Sequence, residues 1–439
     1  MKILCVTHRF PYPPDSGSKI RAFNMIRHLH AEHAVTVASI VRSDQEQMEG
    51  RGLDAWCSRY EMARVRTAVQ VARMIASVPT PGTASSAYFH SADLARRIRR
   101  ALAAESFDLV LVHSSSVAHY VAHVEGIPKI LDFCDMDSQK WLEYSSFKPF
   151  PVSLGYRLEG VKLVAEEKRL ARQFTVCTTA TRAELETLVR YRTGTTADWF
   201  PNGVDTSYFS PGEEPCDPDL IGFVGRMDYY PNEKCVLEFC RAAFPLIRER
   251  RPGAKFVIIG AEPTAAVRRL GKLPGVTVTG SVPDVRPWLR RSAAMIAPLE
   301  IARGTQNKIL EAMASGVPVV TSSAAAGGVD AVPGVHFLVA DSAAEIATAT
   351  LELMGSAQRR DEFARAGRAR VLSHHAWDTS MRRLDRIIER AMELGAKGRG
   401  SVATPVRAGP AAGFRAASAA HDTDDGWEGR ARAMRGRDA

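Results

Sequence analysis

Short apolar runs alternate with helix-length amphipathic segments through the first 200 residues of the chain. An apolar run at 3–6 is followed by an amphipathic stretch at 20–30 and by a second apolar run at 35–40. Continuous rather than alternating apolar runs are typical of strands buried on both faces of a parallel sheet. With further apolar runs at 109–112 and 129–133, the pattern predicts an α/β domain in which helices connect parallel strands.

A second series of the same kind begins near residue 220. Its spacing predicts a second α/β domain with a sheet of its own. The strands are predicted at 221–224, 255–259, 276–279, 294–297, 317–321 and 336–339, and helices at 232–250, 285–291 and 307–314.

Residues that favour turns separate the two series. Pro201, Asn202 and Gly203 lie close to a second group at 210–213, so we place a domain boundary there. The predicted organisation is a Rossmann-like domain, a second Rossmann-like domain, a helix that packs back on the first domain, and a disordered basic tail rich in Ala, Gly and Arg. These four parts are assigned to residues 1–205, 206–375, 376–394 and 395–439. Two such domains would face each other across a cleft at the carboxyl ends of their strands, where ligands of open α/β sheets bind.

Composition narrows the class of protein. The 439 residues are 45% apolar and carry a net charge of +9, which excludes a fibrous or wholly disordered chain and favours anionic ligands. The seven cysteines are odd in number and lack the paired spacing of a zinc site, so a reducing cytoplasm is expected. We expect no export leader and no membrane-spanning segment. Basic and aromatic residues are not interleaved as in single-strand binders, so no specific nucleic-acid partner is expected.

Three segments could bind an anion. The first is the loop after strand 3–6, where Gly17 precedes a helix whose free amides could hold a phosphate. The second is Gly225-Arg226, directly after strand 221–224, where the guanidinium could bind a diphosphate in bidentate fashion. Neither segment has the dinucleotide or P-loop glycine pattern, which disfavours a nicotinamide dehydrogenase and a P-loop kinase.

The third segment surrounds the predicted helix 307–314. Gly304 precedes it, and amides near Thr305 and Asn307 could hold phosphate oxygens while Lys308 adds a positive charge. Glu311 lies on the same helical face and could accept hydrogen bonds from two ribose hydroxyls.

These residues carry a family resemblance. The run 308–320, together with 201–205 and Gly225-Arg226, resembles glycosyltransferase family 4, the retaining sugar transferases of the GT-B fold. More narrowly, 132–141, 227–232, 284–288 and 297–311 resemble the sugar transferases associated with exosortase (PEP-CTERM) exopolysaccharide loci. The resemblance covers about residues 1–392 and implies a GT-B architecture of two Rossmann-like domains.

The resemblance also implies roles for individual residues. Gly17 would let the chain approach the donor diphosphate, Arg226 and a lysine would stabilise the departing nucleotide, and Glu311 would hold the ribose. Lys308 is preferred as that lysine over Lys234, which lies eight residues after Arg226 rather than six.

One motif position departs from the family. The first Glu of the Glu-x7-Glu motif is replaced by Arg303, and Glu300 is out of register. The carboxylate that normally meets the sugar hydroxyls is therefore missing, and recognition of the donor sugar is the least transferable property.

Two features belong to the first domain. His113 stands where family members carry a histidine facing the transferred sugar, with an ordinary loop histidine as the alternative. Asp135 and Asp137 have the form of an Asp-x-Asp motif, which we interpret as an acceptor-side wall or as structural. We expect catalysis without metal or cofactor, since His113, Arg226, Lys308 and helix-start amides can serve a UDP- or GDP-linked sugar substrate.

The acceptor of such enzymes is often a lipid-linked saccharide. The segment 59–77 combines Arg64, Arg66 and Arg73 with apolar residues and could lie on an anionic membrane surface, or it could be an ordinary surface helix. The expected function is a retaining hexosyl transfer in exopolysaccharide or cell-surface polysaccharide synthesis, in the cytoplasm at the inner face of the plasma membrane. A GT-B nucleotide-sugar epimerase and a non-catalytic sugar-nucleotide-binding scaffold remain alternatives.

Overall fold

The computed structural model describes residues 1–400 and contains two parallel sheets. The first sheet has seven strands in the spatial order β3-β2-β1-β4-β5-β6-β7. Its strands are β1 Lys2–Thr7, β2 Ala34–Val41, β3 Arg59–Arg64, β4 Leu109–His113, β5 Lys129–Cys134, β6 Val176–Thr179 and β7 Thr196–Trp199. Its helices are α1 Gly17–His30, α2 Asp44–Gly50, α3 Thr67–Ser77, α4 Ala84–Tyr88, α5 Ala92–Ala104, α6 Asp137–Phe147, α7 Val152–Ala171 and α8 Arg182–Arg190.

The second sheet has six strands in the order β10-β9-β8-β11-β12-β13. Its strands are β8 Asp217–Val224, β9 Lys255–Ile259, β10 Val276–Gly280, β11 Ser292–Ala297, β12 Val319–Thr321 and β13 Leu338–Val339. The remaining helices are α9 Tyr230–Glu238, α10 Phe244–Arg250, α11 Ala265–Leu270, α12 Arg286–Arg291, α13 Asn307–Ala314, α14 Ser323–Ala326, α15 Ala343–Gly355, α16 Ala357–His374 and α17 Trp377–Gly400. A π-helical turn at Phe239–Ala243 joins α9 to α10. The chain is therefore helical throughout 232–250, where a single helix was predicted.

Both sheets reverse their strand order in the manner of a Rossmann fold, which confirms the predicted fold class. The reversal lies between β1 and β4 in the first sheet and between β8 and β11 in the second. Chains that leave these strand pairs in opposite directions open a crevice at the carboxyl edge, so the expected ligand sites follow β1, β4, β8 and β11.

The cores explain the apolar runs. Ile3, Cys5 and Leu111 pack on one face of the first sheet, while Leu4 and Val110 pack on the other. Neighbouring residues of a strand thus point into different cores, so the strand must be apolar throughout. Trp377, Met381, Leu384 and Ile388 of α17 join the same core as Ile3, so this helix packs on the first domain.

Two local expectations are wrong. Residues 59–77 do not form one amphipathic segment, because Arg59–Arg64 pairs with β2 as the edge strand β3 and only Thr67–Ser77 is helical. The last helix continues to Gly400 instead of ending at 394. The rest of the predicted basic tail, 401–439, lies outside the described residues.

No helix within residues 1–400 is long and apolar enough to cross a bilayer.

Candidate functional site

Polar residues follow the four strands that flank the two crevices. Gly17 opens α1 after β1, and His113 is the last residue of β4. In the second domain, Arg226 follows β8, and the segment that starts α13 follows β11. The structure therefore places most of the predicted site residues at the carboxyl edges of the two sheets.

Lys308 lies beside Gly225, directly after β8. Its ammonium donates a hydrogen bond to Asn232 Oδ1 and lies 4.4 Å from the centre of the Phe223 ring. A Cβ on Gly225 would come within 2.6 Å of Asn232 Nδ2 and 3.4 Å of Lys308 Nζ, so only glycine leaves this approach open. Burial lowers the pKa of Lys308 to about 8. The ammonium is thus poorly solvated and ready to pair with an anion.

Lys234, the alternative phosphate-binding lysine, has other partners. Its ammonium contacts the Glu300 carboxylate and lies 4.5 Å from the centre of the Phe147 ring. Asn232, six residues after Arg226, occupies the spacing at which the family places its lysine, and it holds the Lys308 ammonium there. The positive charge at this point therefore comes from α13 instead of α9.

Arg226 is exposed and already paired. Its Nε and Nη2 donate to the two carboxylate oxygens of Asp228 at 3.0 and 2.7 Å. These hydrogen bonds raise the pKa of Arg226, and Asp15 of the β1–α1 loop adds to the shift. The guanidinium thus lies at the mouth of the cleft, where a diphosphate would have to compete with Asp228.

Glu311 lies one turn after Lys308 and lines a cavity of about 210 Å³ between the domains. Asn307, Ile20 and Asn24 of α1, and the inter-domain residues Gly203–Asp205 contribute to the lining. Burial raises the pKa of Glu311 to about 7, and the nearby Lys308 offsets only part of that rise. A carboxylate in this position can accept hydrogen bonds from neutral donors such as ribose hydroxyls.

The segment before α13 supplies further polar atoms. Thr305 Oγ1 and Asn307 Oδ1 are buried and have no hydrogen-bond partner among the described residues. Asn307 Nδ2 would be 3.7 Å from a Cβ on Gly17, so the first-domain loop and the start of α13 are in contact across the cleft. The helix begins at Asn307, the first residue of the predicted helix 307–314.

His113 belongs to a buried ionic network that the sequence did not reveal. Its Nδ1 lies 2.8 Å from Asp132 Oδ2, and Arg21 donates to both oxygens of the same carboxylate at 2.8 and 3.0 Å. Burial alone would raise the pKa of Asp132, but Arg21 and His113 hold it well below its usual range. Since an ionised carboxylate only accepts, His113 Nδ1 must carry the proton of this hydrogen bond.

The sequence pattern pointed to only part of this network. Asp132 stands within a run that carried the resemblance, but nothing in the pattern linked it to Arg21 on α1, 111 residues away. No sequence pattern singled out Arg21, yet its guanidinium lies 3.7 Å from the centre of the Phe200 ring and also donates to the Phe200 carbonyl and to Asn202 Oδ1.

Arg303 crosses the cleft to the first domain. Its Nε donates to Glu143 Oε2 of α6 at 2.6 Å, and its Nη1 lies 3.7 Å from Glu184 Oε1 of α8. Tyr144 and Tyr229 also meet across the domains, with 3.1 Å between their hydroxyls. The residue that replaces the family's first glutamate is therefore an inter-domain contact.

Among residues 1–400, no group of three or more His, Cys, Asp or Glu side chains is arranged to hold a metal ion.

Comparisons with known proteins agree with this architecture. Residues 218–356 match the family described as glycosyl transferases group 1. The phosphatidyl-myo-inositol mannosyltransferase of Propionibacterium freudenreichii subsp. shermanii is 35% identical over 120 residues, which are 27% of this chain and 28% of that protein. The match thus spans little more than a quarter of the curated relative.

Solved structures resemble a much larger part of the chain. The Anabaena protein Alr3699/HepE, in complex with UDP and glucose, has a TM-score of 0.63 at 13% identity and covers 89% of this chain and 99% of its own. Sucrose-phosphate synthase from Thermosynechococcus elongatus has a TM-score of 0.63 at 13% identity, with 92% and 99% covered. The two facing Rossmann-like domains form a GT-B fold.

Proposed function

We propose that the protein is a retaining, metal-independent glycosyltransferase that moves a hexosyl group from a UDP- or GDP-linked sugar to a saccharide acceptor. The observation that carries the proposal is the placement of Lys308 and Glu311 one turn apart on α13. Lys308 lies beside Gly225 at the end of β8, and Glu311 lines the cavity between the domains. The domain that holds both residues matches glycosyl transferases group 1. A poorly solvated ammonium suits a diphosphate, and a carboxylate suits a ribose.

In the proposed transfer, negative charge develops on the departing nucleoside diphosphate. The bond between sugar C1 and the phosphate oxygen breaks, the electron pair stays on the departing nucleoside diphosphate, and the acceptor oxygen bonds C1 and passes its proton to the departing phosphate oxygen. Lys308 and the amides at the start of α13 would stabilise the negative charge as it develops, while Arg226 would assist from the cleft mouth. His113, held by Asp132, would face the transferred sugar from the first domain.

Binding of the donor nucleotide tests the proposal. We expect one of UDP, GDP and ADP to bind wild-type protein with micromolar affinity in calorimetry. Glu311→Ala should weaken that binding at least tenfold, about 1.4 kcal/mol, because the ribose loses its acceptor. Glu300→Ala is the matched control: this exposed glutamate pairs with Lys234 outside the site, so the affinity should stay unchanged.

Acceptor dependence separates transfer from the alternatives. Nucleotide released from a bound UDP- or GDP-sugar only when a saccharide acceptor is added would support a transferase. Conversion of the donor sugar without an acceptor would instead indicate an epimerase. If no nucleotide binds to correctly folded protein, the scaffold interpretation replaces the proposal.

The proposal extends to a lipid-linked acceptor in exopolysaccharide assembly, used at the inner face of the plasma membrane. Its support is an apolar surface formed by α3, α7 and the loops that adjoin them. Large side chains there are exposed, among them Phe150 at 81%, Ile75 at 62% and Val161 at 57%. Lys162 of α7 donates to the Ser77 and Val78 carbonyls at the end of α3, so the two helices form one continuous surface.

The charge around this surface suits anionic lipid. Residues 66–82 and 147–162 contain five basic side chains and a single acid, Glu159. That acid is buried, where it accepts from the amides of Ala84 and Ser85. An apolar surface with a purely basic exposed rim is the pattern of an interfacial membrane contact. Arg64 takes no part in this surface, because it lies on the edge strand β3 and pairs with Asp44 of α2.

Vesicle sedimentation checks this surface. We expect wild-type protein to bind vesicles that contain one-third phosphatidylglycerol, and the triple variant Ile75→Ser, Leu158→Ser, Val161→Ser to bind at least tenfold more weakly, because buried apolar area is lost. Val332→Ser with Val335→Ser removes comparably exposed valines from the second domain and should bind like wild type. Equal binding by the triple variant would contradict the membrane contact.

A further inference from the structure

Three first-domain carboxylates surround the segment that precedes α13, and only two of them meet a cation there. Glu143 and Glu184 face the guanidinium of Arg303, at 2.6 and 3.7 Å. The third, Asp135, follows strand β5 and lies directly against Gly304. A side chain at Gly304 would overlap the Asp135 carboxylate. Arg303 is thus occupied by the other two carboxylates.

Asp135 is partly buried, and one of its carboxylate oxygens lacks a partner. This oxygen, Oδ1, is itself buried and has no hydrogen-bond partner among the described residues. Thr305 Oγ1 and Asn307 Oδ1, on the segment that Asp135 touches, are in the same state. Buried polar atoms in folded proteins are almost always hydrogen-bonded, so three such oxygens on and beside the segment 304–307 indicate a missing partner.

The backbone places Asp135 there at a cost. Cys134, the residue before it, has a φ of 63°, a left-handed conformation that residues other than glycine rarely adopt. Burial also raises the pKa of Asp135. Unfavourable backbone and unpaired burial on adjacent residues are typical of a functional site, where a ligand compensates for both.

The chemistry of the three oxygens identifies the ligand class. A carboxylate and an amide oxygen accept hydrogen bonds, and a hydroxyl both donates and accepts. A phosphate would be repelled by the carboxylate, whereas the hydroxyls of a sugar ring can donate to it. The segment continues into Asn307 and Lys308, which we have assigned to the diphosphate side, so a ring at Asp135 is the one attached to that diphosphate.

We propose that Asp135 binds hydroxyls of the transferred donor sugar across the cleft, an inference that rests on the function proposed above. The chain carries arginine at position 303, and the carboxylate beside Gly304 comes from the opposite domain. Recognition of the sugar would therefore depend on a first-domain carboxylate in addition to the residues assigned to the nucleotide.

Comparing nucleotides with nucleotide sugars tests this assignment. Calorimetry with UDP against UDP-glucose, and GDP against GDP-mannose, measures what the sugar adds to affinity. We expect Asp135→Asn to bind the nucleotide like wild type and the matching nucleotide sugar at least tenfold more weakly. Asp198→Asn, an exposed position on the edge strand β7, is the matched control and should bind both like wild type.

The remaining outcomes overturn the proposal in distinguishable ways. Unchanged binding of the nucleotide sugar by Asp135→Asn would refute the sugar contact and leave the proposed function intact. Equal weakening of nucleotide and nucleotide sugar would assign Asp135 to the nucleotide or to the fold. No binding of any of the four compounds by wild-type protein would remove both proposals. The thermal midpoint separates misfolding from lost contact: Asp135→Asn breaks no hydrogen bond in the free protein and should not lower it.

Discussion

Lys308→Met is expected to lower the rate of sugar transfer by about 10²- to 10³-fold, the usual loss when a preorganised charge-stabilising donor is removed. The methionine keeps the length of the side chain but removes the charge that would meet the departing diphosphate. Stability should be preserved, because the ammonium is poorly solvated and, within residues 1–400, donates its hydrogen bond to Asn232 only. Single-turnover rates with saturating donor, together with the thermal midpoint, measure both quantities.

Lys234→Met is the matched control for this experiment. That lysine also lies on the second domain's crevice side, but it pairs with Glu300. We expect its transfer rate to stay within about twofold of wild type. A large loss in Lys234→Met and none in Lys308→Met would reverse the assignment of the phosphate-binding lysine.

The pH dependence of nucleotide affinity gives an independent reading of Lys308. Its pKa of about 8 means that the ammonium loses its proton as pH rises through that value, so affinity should fall above pH 8. In Lys308→Met this decline should disappear.

Asp132→Ala is expected to destabilise the protein by about 3–5 kcal/mol, because it leaves the Arg21 charge buried without a partner. Both side chains are fully buried, at 0% exposure. The same substitution frees His113 from its hydrogen bond, so any folded fraction should also transfer sugar more slowly. Urea unfolding followed by tryptophan fluorescence measures the loss.

Two comparisons show whether burial is the cause. Arg64→Met removes an exposed ion pair with Asp44 and should cost less than about 1 kcal/mol. The double variant Arg21→Met with Asp132→Leu removes both buried charges and should recover much of the stability lost in Asp132→Ala. A loss in Asp132→Ala no larger than in Arg64→Met would show that the buried pair contributes little.

Local pattern was sufficient for most of the fold. The apolar runs at 3–6, 35–40 and 255–259 became strands β1, β2 and β9, and helix α13 occupies the predicted 307–314. Continuous apolar runs and glycine-bounded helices are properties of neighbouring residues, so they can be recognised in the sequence. The edge strand β3 was not predicted, because its residues are mostly polar and resemble part of an amphipathic helix. Only Ala63 of this strand is fully buried.

For the candidate site, too, some features followed from local sequence and others only from the tertiary structure. Gly17, Arg226, Lys308 and Glu311 stand next to strand ends or helix starts, so the sequence alone identified them as the candidates proposed for anion and ribose binding. Only the tertiary structure decided that Lys308, held by Asn232, lies beside Gly225 while Lys234 pairs with Glu300.

The pairing of Arg21 with Asp132 and of Arg303 with Glu143 was equally invisible, since 111 and 160 residues separate the partners. Local periodicity determines strands and helices. Which charges meet depends on how two sheets and their connecting helices pack, and no local pattern encodes that distance.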